Sequence, residues 1–182
     1  MERPNMKKMK RLVAVLLVGI MALAMLTACG VTPSAPSMRD TALEESVAQW
    51  TVELGRSKGL ELTLDSELTE ISNKCLPTAV KAENARLTSA INQKAYDDAL
   101  KEQKTFFAAA KEGKKAALVP VTFTSGIEVT ENTLADSENT LADRKNDIWD
   151  RLRDADVNNP TKFGVTVTKQ KEYTLVLFVV SE

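Results

Sequence analysis

The sequence predicts an α+β fold: an α-β-α sandwich with helices mainly N-terminal and a small, mostly antiparallel sheet formed by the C-terminal half. Three observations carry this. Between residues 41 and 112, apolar positions recur at helical spacing in a background rich in Ala, Lys, Glu and Gln. From residue 117 onward, short β-branched runs bounded by turn residues appear. The last of these, residues 173–180, is apolar on both alternating sets, Leu175/Leu177/Val179 and Val176/Phe178/Val180. Neither face of such a strand can meet water, so helices are expected on both sides of it.

The elements follow in order. Residues 41–54 place Leu43, Val47, Trp50 and Leu54 on one stripe, closed by Gly55 and Gly59. Leu60, Leu62 and Leu64 alternate with polar residues and read as an extended connection. Asp65 or Ser66 is placed to cap a second helix with Leu68, Ile71, Cys75 and Leu76 on one face, and Pro77 is expected to break or kink it. Residues 78–112 read as one long helix or two, with Leu87, Ile91, Ala95, Leu100 and Phe107 as the buried line and Gly113 at the end. The run ALVPVTFT at 117–124 reads as a strand, which Pro120 pushes towards an edge or a bulge. Ser125-Gly126 is a turn. Residues 131–155 are expected to be helical, with Leu134, Leu141, Ile148 and Leu152 on one stripe. Within them ENTLAD occurs twice, at 131–136 and 138–143, which reads as a local duplication in a surface helix. After a turn at Asn158-Asn159-Pro160, residues 163–168 and 173–180 form two strands joined by a hairpin at 169–172.

Composition narrows the chemistry. The 182 residues are 43% hydrophobic and 27% charged, a globular balance, with 24 basic and 25 acidic side chains. Near-neutrality argues against nucleic acid as a partner. The absence of histidine removes Ser-His and Cys-His nucleophilic sites and every His-ligated metal site. Two cysteines cannot build a thiolate cage for zinc. No cofactor or metal site is therefore expected.

The N-terminal residues carry an address. Lys7, Lys8, Lys10 and Arg11 precede an uncharged run at 12–26, fifteen residues long and short of the about 20 that a permanent span needs. Leu26-Thr27-Ala28-Cys29 follows, then Gly30. This resembles a bacterial lipobox; the alternative is a plain secretory signal or a single membrane span that happens to contain a cysteine. The resemblance implies a signal peptide at 1–28, a diacylglyceryl group on the Cys29 sulfur, and cleavage before Cys29. Residues 29–40 would be the lipidated cysteine and its tether, and 41–182 a single extracytoplasmic domain held at the cell membrane. Two acyl chains anchor stably where one does not. The mature chain would hold 19 basic and 24 acidic residues, a net of −5, so the lipid and not charge does the holding. Cys75 then has no disulfide partner within the chain and reads as a small buried apolar residue.

Arg56-x-x-Gly59-Leu60-x-Leu62-x-Leu64-Asp65-x-x-Leu68 resembles the opening of the CAP superfamily, the SCP-like extracellular domains. Thr130-Glu131-Asn132 is similar to that family's Gly-Glu-Asn segment. Trp149, Phe163-Gly164-Val165-x-Val167 and the strand at 173–180 follow its later landmarks. The resemblance implies an α-β-α sandwich. The family's metal pocket uses two histidines and two acidic residues, and with no histidine here that tetrad is not built. Glu131 is the one candidate ligand-binding residue that the resemblance carries over, with Thr130 in place of the glycine.

Other constellations are weaker. Asp154-x-Asp156-x-Asn158 opens like a calcium loop, yet position six is Asn159 and position twelve Val165. Asp147, Asp150, Asp154 and Asp156 read instead as a solvated acidic face balanced by Arg144, Lys145, Arg151 and Arg153. Trp50 and Trp149 sit at core spacing. Two classes of function survive. One is a non-catalytic, membrane-anchored binding or scaffold module whose partner is a cell-envelope protein or a small apolar ligand. The other is a cell-envelope hydrolase that uses carboxylates alone, marked by two facing carboxyls with raised pKa values.

Overall fold

In the computed structural model, residues 39–136, 140–141 and 147–182 are described, all within one unit that spans Met38–Glu182. The proposed signal peptide, Cys29 and the tether up to residue 38 lie outside the described residues. The element order is α1 (Thr41–Ser57), β1 (Thr63–Leu64), α2 (Ser66–Leu87), α3 (Gln93–Ala110), β2 (Ala116–Thr124), α4 (Glu131–Ala135), α5 (Asp147–Asp154), β3 (Lys162–Lys169) and β4 (Tyr173–Ser181). The sheet order is β1-β3-β4-β2; β1 runs parallel to β3, and the other pairings are antiparallel.

β4 is central and covered on both faces, as its sequence requires. Val176, Phe178 and Val180 join Val47, Trp149, Leu152, Phe163, Val165 and Val167 in the core beneath α1, α4 and α5. Tyr173, Leu175, Leu177 and Val179 face the opposite core, against Leu68, Ile71, Cys75, Leu76, Ala79 and Val80 of α2. The α-β-α layering and the mostly antiparallel sheet are those the periodicities predict. β2 takes an edge, where Pro120 has a strand neighbour on one side only.

Two close approaches set the α2 layer on the sheet. A Cβ on Gly164 of β3 would overlap the backbone of Leu68 and Thr69, so glycine there lets the first turn of α2 lie directly on the strand. One turn later Ser72 Oγ donates to the Leu177 carbonyl at 2.7 Å and is 2.7 Å from Thr166 Oγ1, which satisfies buried hydroxyls under the helix. Asp65 is the cap, its Oδ1 accepting from the Glu67 and Leu68 N–H groups at 2.9 and 3.1 Å.

Several expectations are corrected. Pro77 does not break α2, which runs unbroken from Ser66 to Leu87. Burial of Cys75, Leu76, Ala79 and Val80 outweighs the lost backbone bond, and Thr78 Oγ1 donates to the Cys75 carbonyl at 2.8 Å. Gly55 does not close α1; it lies inside the helix and makes room for Leu60 and Leu62, while Gly59 takes the left-handed conformation after the helix end. Leu87 and Ile91 are not on a buried line, because the chain turns at 88–92 and Asn92 caps α3 by accepting from the Ala95 N–H at 3.1 Å. The expected helix over 131–155 is two short helices. Thr140 and Leu141 between them are not helical, and 137–139 and 142–146 lie outside the described residues. Leu134, Leu141, Ile148 and Leu152 are nevertheless buried in one core, so burial survives without the continuous stripe.

β3 has an unusual outer edge. β1 pairs only with Lys162 and Phe163. Further along, the Asp40 N–H donates to the Val167 carbonyl at 2.7 Å, and the buried Glu44 carboxylate accepts from the Val167 N–H at 2.9 Å. Arg39 pairs with Glu44 from outside and is held charged by it. The start of α1 thus stands where a strand would otherwise pair.

Gly164→Ala should destabilise the fold by about 3 kcal/mol or prevent folding, since helix backbone cannot move aside as a flexible side chain can. Chemical denaturation will measure it; unchanged stability would show that the contact is not rigid.

Candidate functional site

α3 does not touch the sheet layer as α2 does. It packs antiparallel on α2 and buries only Ala99 and Gln103 fully, with Phe107 and Ala110 reaching the α2 core at its far end. The ion pair Lys81–Glu102 ties it to α2 at the surface, and Lys114, just past the end of α3, pairs with Glu67 at the start of α2. Because α3 stands off the sheet, a groove of about 760 Å³ opens along the free edge of β2.

The groove has an apolar floor and a charged rim. Ala79 and Ala82 of α2 and Leu118, Pro120 and Thr122 of β2 form the floor; Leu100, Gln103 and Phe107 of α3 form one wall. Alanines on α2 are what leave the space, since larger side chains would fill it. The rim carries four cations, Arg86, Lys104, Lys111 and Arg151, and two carboxylates, Glu83 and Asp154. Glu83 is engaged: Arg86 donates to it through Nε and Nη2 at 2.8 and 2.6 Å, and is held charged by it. Lys111 Nζ lies 5.6 Å from the centre of the Phe107 ring. In a chain with slightly more acid than base, this rim is locally positive.

Gln103 is the unexpected member. Its side chain is buried against the groove, and its Nε2 has no hydrogen-bond partner among the described residues. An unmade bond on a buried donor is costly, and such groups mark places where a partner is missing. Its signal in the sequence is only an odd one: a glutamine on the helical face that otherwise carries Ala99 and Phe107.

The other titratable groups do not resemble catalytic machinery. Asp40 is held below the usual carboxylate range by Lys169, at 3.0 Å, and by the Leu43 N–H. Lys74 lowers Glu70, Lys94 lowers Asp98, and the Asn158 and Asn159 N–H groups lower Glu182. A general acid at neutral pH needs the opposite displacement. Burial pushes the Cys75 thiol up to about 11 and, with Glu83 adding to it, the Tyr173 hydroxyl to about 12. Tyr173 Oη is satisfied by Asn84 Oδ1 at 3.0 Å.

The residues singled out in the sequence are scattered. Glu131 is exposed on the first turn of α4, where Thr130 is the cap and accepts from the Thr133 N–H; the groove does not include it. Asp147, Asp150 and Asp154 are exposed on α5, and Asp150 pairs with Arg153. Arg144 and Lys145 lie outside the described residues. Asp154 and Arg151 reach the groove rim. Among the described residues, no three His, Cys, Asp or Glu side chains converge as metal ligands. Trp149 is buried, its Nε1 donating to the Leu141 carbonyl at 3.0 Å, and Trp50 packs at the edge of the same core. No helix among the described residues is long and apolar enough to cross a membrane.

No protein-family model, curated protein or solved structure matches this chain.

Two outcomes follow from these environments. Gln103→Met should stabilise the protein by about 1 kcal/mol in denaturant titration by removing an unsatisfied donor; a loss of stability would mean the amide is bonded in solution. Cys75 should resist iodoacetamide at pH 8 in the folded protein and react on unfolding, as read by mass spectrometry; rapid alkylation of the native state would contradict its burial.

Proposed function

We propose that this protein is a membrane-anchored bacterial lipoprotein whose extracytoplasmic domain is a non-catalytic binding module. The observation that carries the anchoring is the order of the basic start, the uncharged run and Leu26-Thr27-Ala28-Cys29. The groove along β2 supports binding. It offers an apolar floor with a cationic rim, which suits a small ligand with an apolar body and an anionic end. A carboxylate-only hydrolase is less well supported, because Glu83 is committed to Arg86 and Asp154 is the other carboxylate on the rim. The α-β-α layering and the order of elements are in keeping with a CAP-like domain, without the metal chemistry of that family. Cell membrane, extracytoplasmic face, is the localisation this reading implies.

Cys29→Ser should abolish acylation and cleavage before residue 29, leaving an uncleaved precursor; mass spectrometry of the membrane-extracted N-terminus decides. An unmodified thiol on Cys29 of the wild type would end the lipoprotein reading. For the groove, a fluorescent long-chain fatty acid is the probe. Lys104→Glu together with Arg151→Glu should weaken its binding at least about tenfold, which is about 1.4 kcal/mol. Undiminished binding would place the ligand elsewhere.

A further inference from the structure

Among the described residues, the large exposed apolar side chains are Leu64, Leu87, Ile91, Phe106 and Ile127, and three of these five share one end. α2 advances along the sheet from Gly164 of β3, past Thr166 and Leu177, to Tyr173 at the start of β4, whose hydroxyl meets Val80 and Asn84. The turn after α2 therefore lies at the end of the sandwich that holds the β3–β4 hairpin. The turn after β2 lies there too, since Thr124 pairs with Tyr173 and the Ser125 N–H donates to the Glu172 carbonyl at 2.9 Å. Leu87 and Ile91 of the first turn are 45% and 91% exposed, and Ile127 of the second is 50% exposed. The two turns thus gather exposed apolar side chains at one end of the sandwich.

The chain enters the domain at the same end. Asp40 is fixed there by its bond to the Val167 carbonyl and its ion pair with Lys169. Only ten residues separate Cys29 from Asp40, a span of about 40 Å at full extension over the eleven Cα–Cα steps. A lipid on Cys29 would make this end the point at which the domain is tethered to the bilayer.

We infer that the hairpin end of the sandwich, through Leu87, Ile91 and Ile127, rests on the surface of the phospholipid bilayer in which Cys29 is anchored. This inference depends on the lipoprotein reading above. The occupant is a bilayer because the shortness of the tether brings one to these tips. Two apolar tips, one with Leu87 and Ile91 and one with Ile127, suit shallow insertion among headgroups better than a shaped protein pocket. The nearby charges are mixed: Lys169 is paired with Asp40 and Lys171 with Glu172. Contact is thus apolar and should persist in high salt. Its effect is to orient the domain, so that the groove along β2 is held at a fixed attitude to the membrane.

The test uses the lipidated full chain in phosphatidylethanolamine–phosphatidylglycerol vesicles. Ile91→Cys, Ile127→Cys and, as the control at the opposite end, Leu64→Cys are each labelled with an environment-sensitive maleimide dye. Leu64 is 53% exposed, close to Ile127 at 50%, and pairs with Phe163 at the start of β3. Buried Cys75 and acylated Cys29 would not compete for label. The dye at 91 and 127 should show blue-shifted emission and loss of intensity to lipid-borne nitroxide, unchanged in high salt, while the dye at 64 shows neither. Equal responses at all three positions, with Cys29 acylated and the protein floating with the vesicles, would overturn the membrane contact and leave the lipoprotein reading intact. Absence of acylation on Cys29 would overturn both.

Discussion

A strand that is apolar on both faces cannot stand at a surface, and β4 imposes this constraint on everything around it. With Val176, Phe178 and Val180 on one side and Leu175, Leu177 and Val179 on the other, it needs two layers of cover and a strand on each flank. α2 supplies one layer and α1, α4 and α5 the other. Phe178 meets Phe163 of β3 with ring centres 6.2 Å apart and planes at 59°, an edge-tilted pair that joins the two central strands within one layer. Gly164 belongs to the same constraint. A helix laid flat on a sheet has to come close somewhere, and here that place is a missing side chain.

The two flanks of the sheet are finished differently. On the β3 side, β1 is too short to complete the edge, so backbone and carboxylate from the start of α1 take over at Val167. A buried carboxylate in that position is satisfied by a strand N–H and by Arg39, which makes a polar lock where a hydrophobic contact would leave backbone groups unbonded. On the β2 side nothing among the described strands closes the edge, and Pro120 sits in it. The groove forms against this open flank because α3 leans on α2 and stops short of the sheet. The groove and the incomplete packing of this flank are thus the same feature.

The small side chains along α2 matter for the same reason. Ala79 and Ala82 let α3 approach at a distance that leaves space above β2, while Arg86 and Glu83 neutralise each other at the rim and leave Lys104, Lys111 and Arg151, against Asp154, to set its sign. The groove depends on several elements at once, so it has the character of a site held by the fold and not by one loop.

By itself the sequence determined the fold class, the central place of β4, the hairpin and the burial of Cys75, and it narrowed Pro120 to an edge or a bulge and the α2 cap to Asp65 or Ser66. Each depends on a local pattern of polarity or on a residue whose backbone chemistry is restrictive. Tertiary packing decided the rest. Pro77 stays inside α2 because its neighbours are buried on the sheet, a gain that no local propensity contains. Leu87 and Ile91 match a helical stripe in spacing yet face water, because the chain turns beneath them. The ENTLAD repeat holds Leu134 and Leu141 in one core without one helix, since burial requires position and not continuity. Glu131, singled out by resemblance, stands apart from the groove, and Gln103, which no motif marks, lies in it. A groove made where three elements fail to close is a property of distances between segments remote in sequence, and those distances are fixed only when the layers pack.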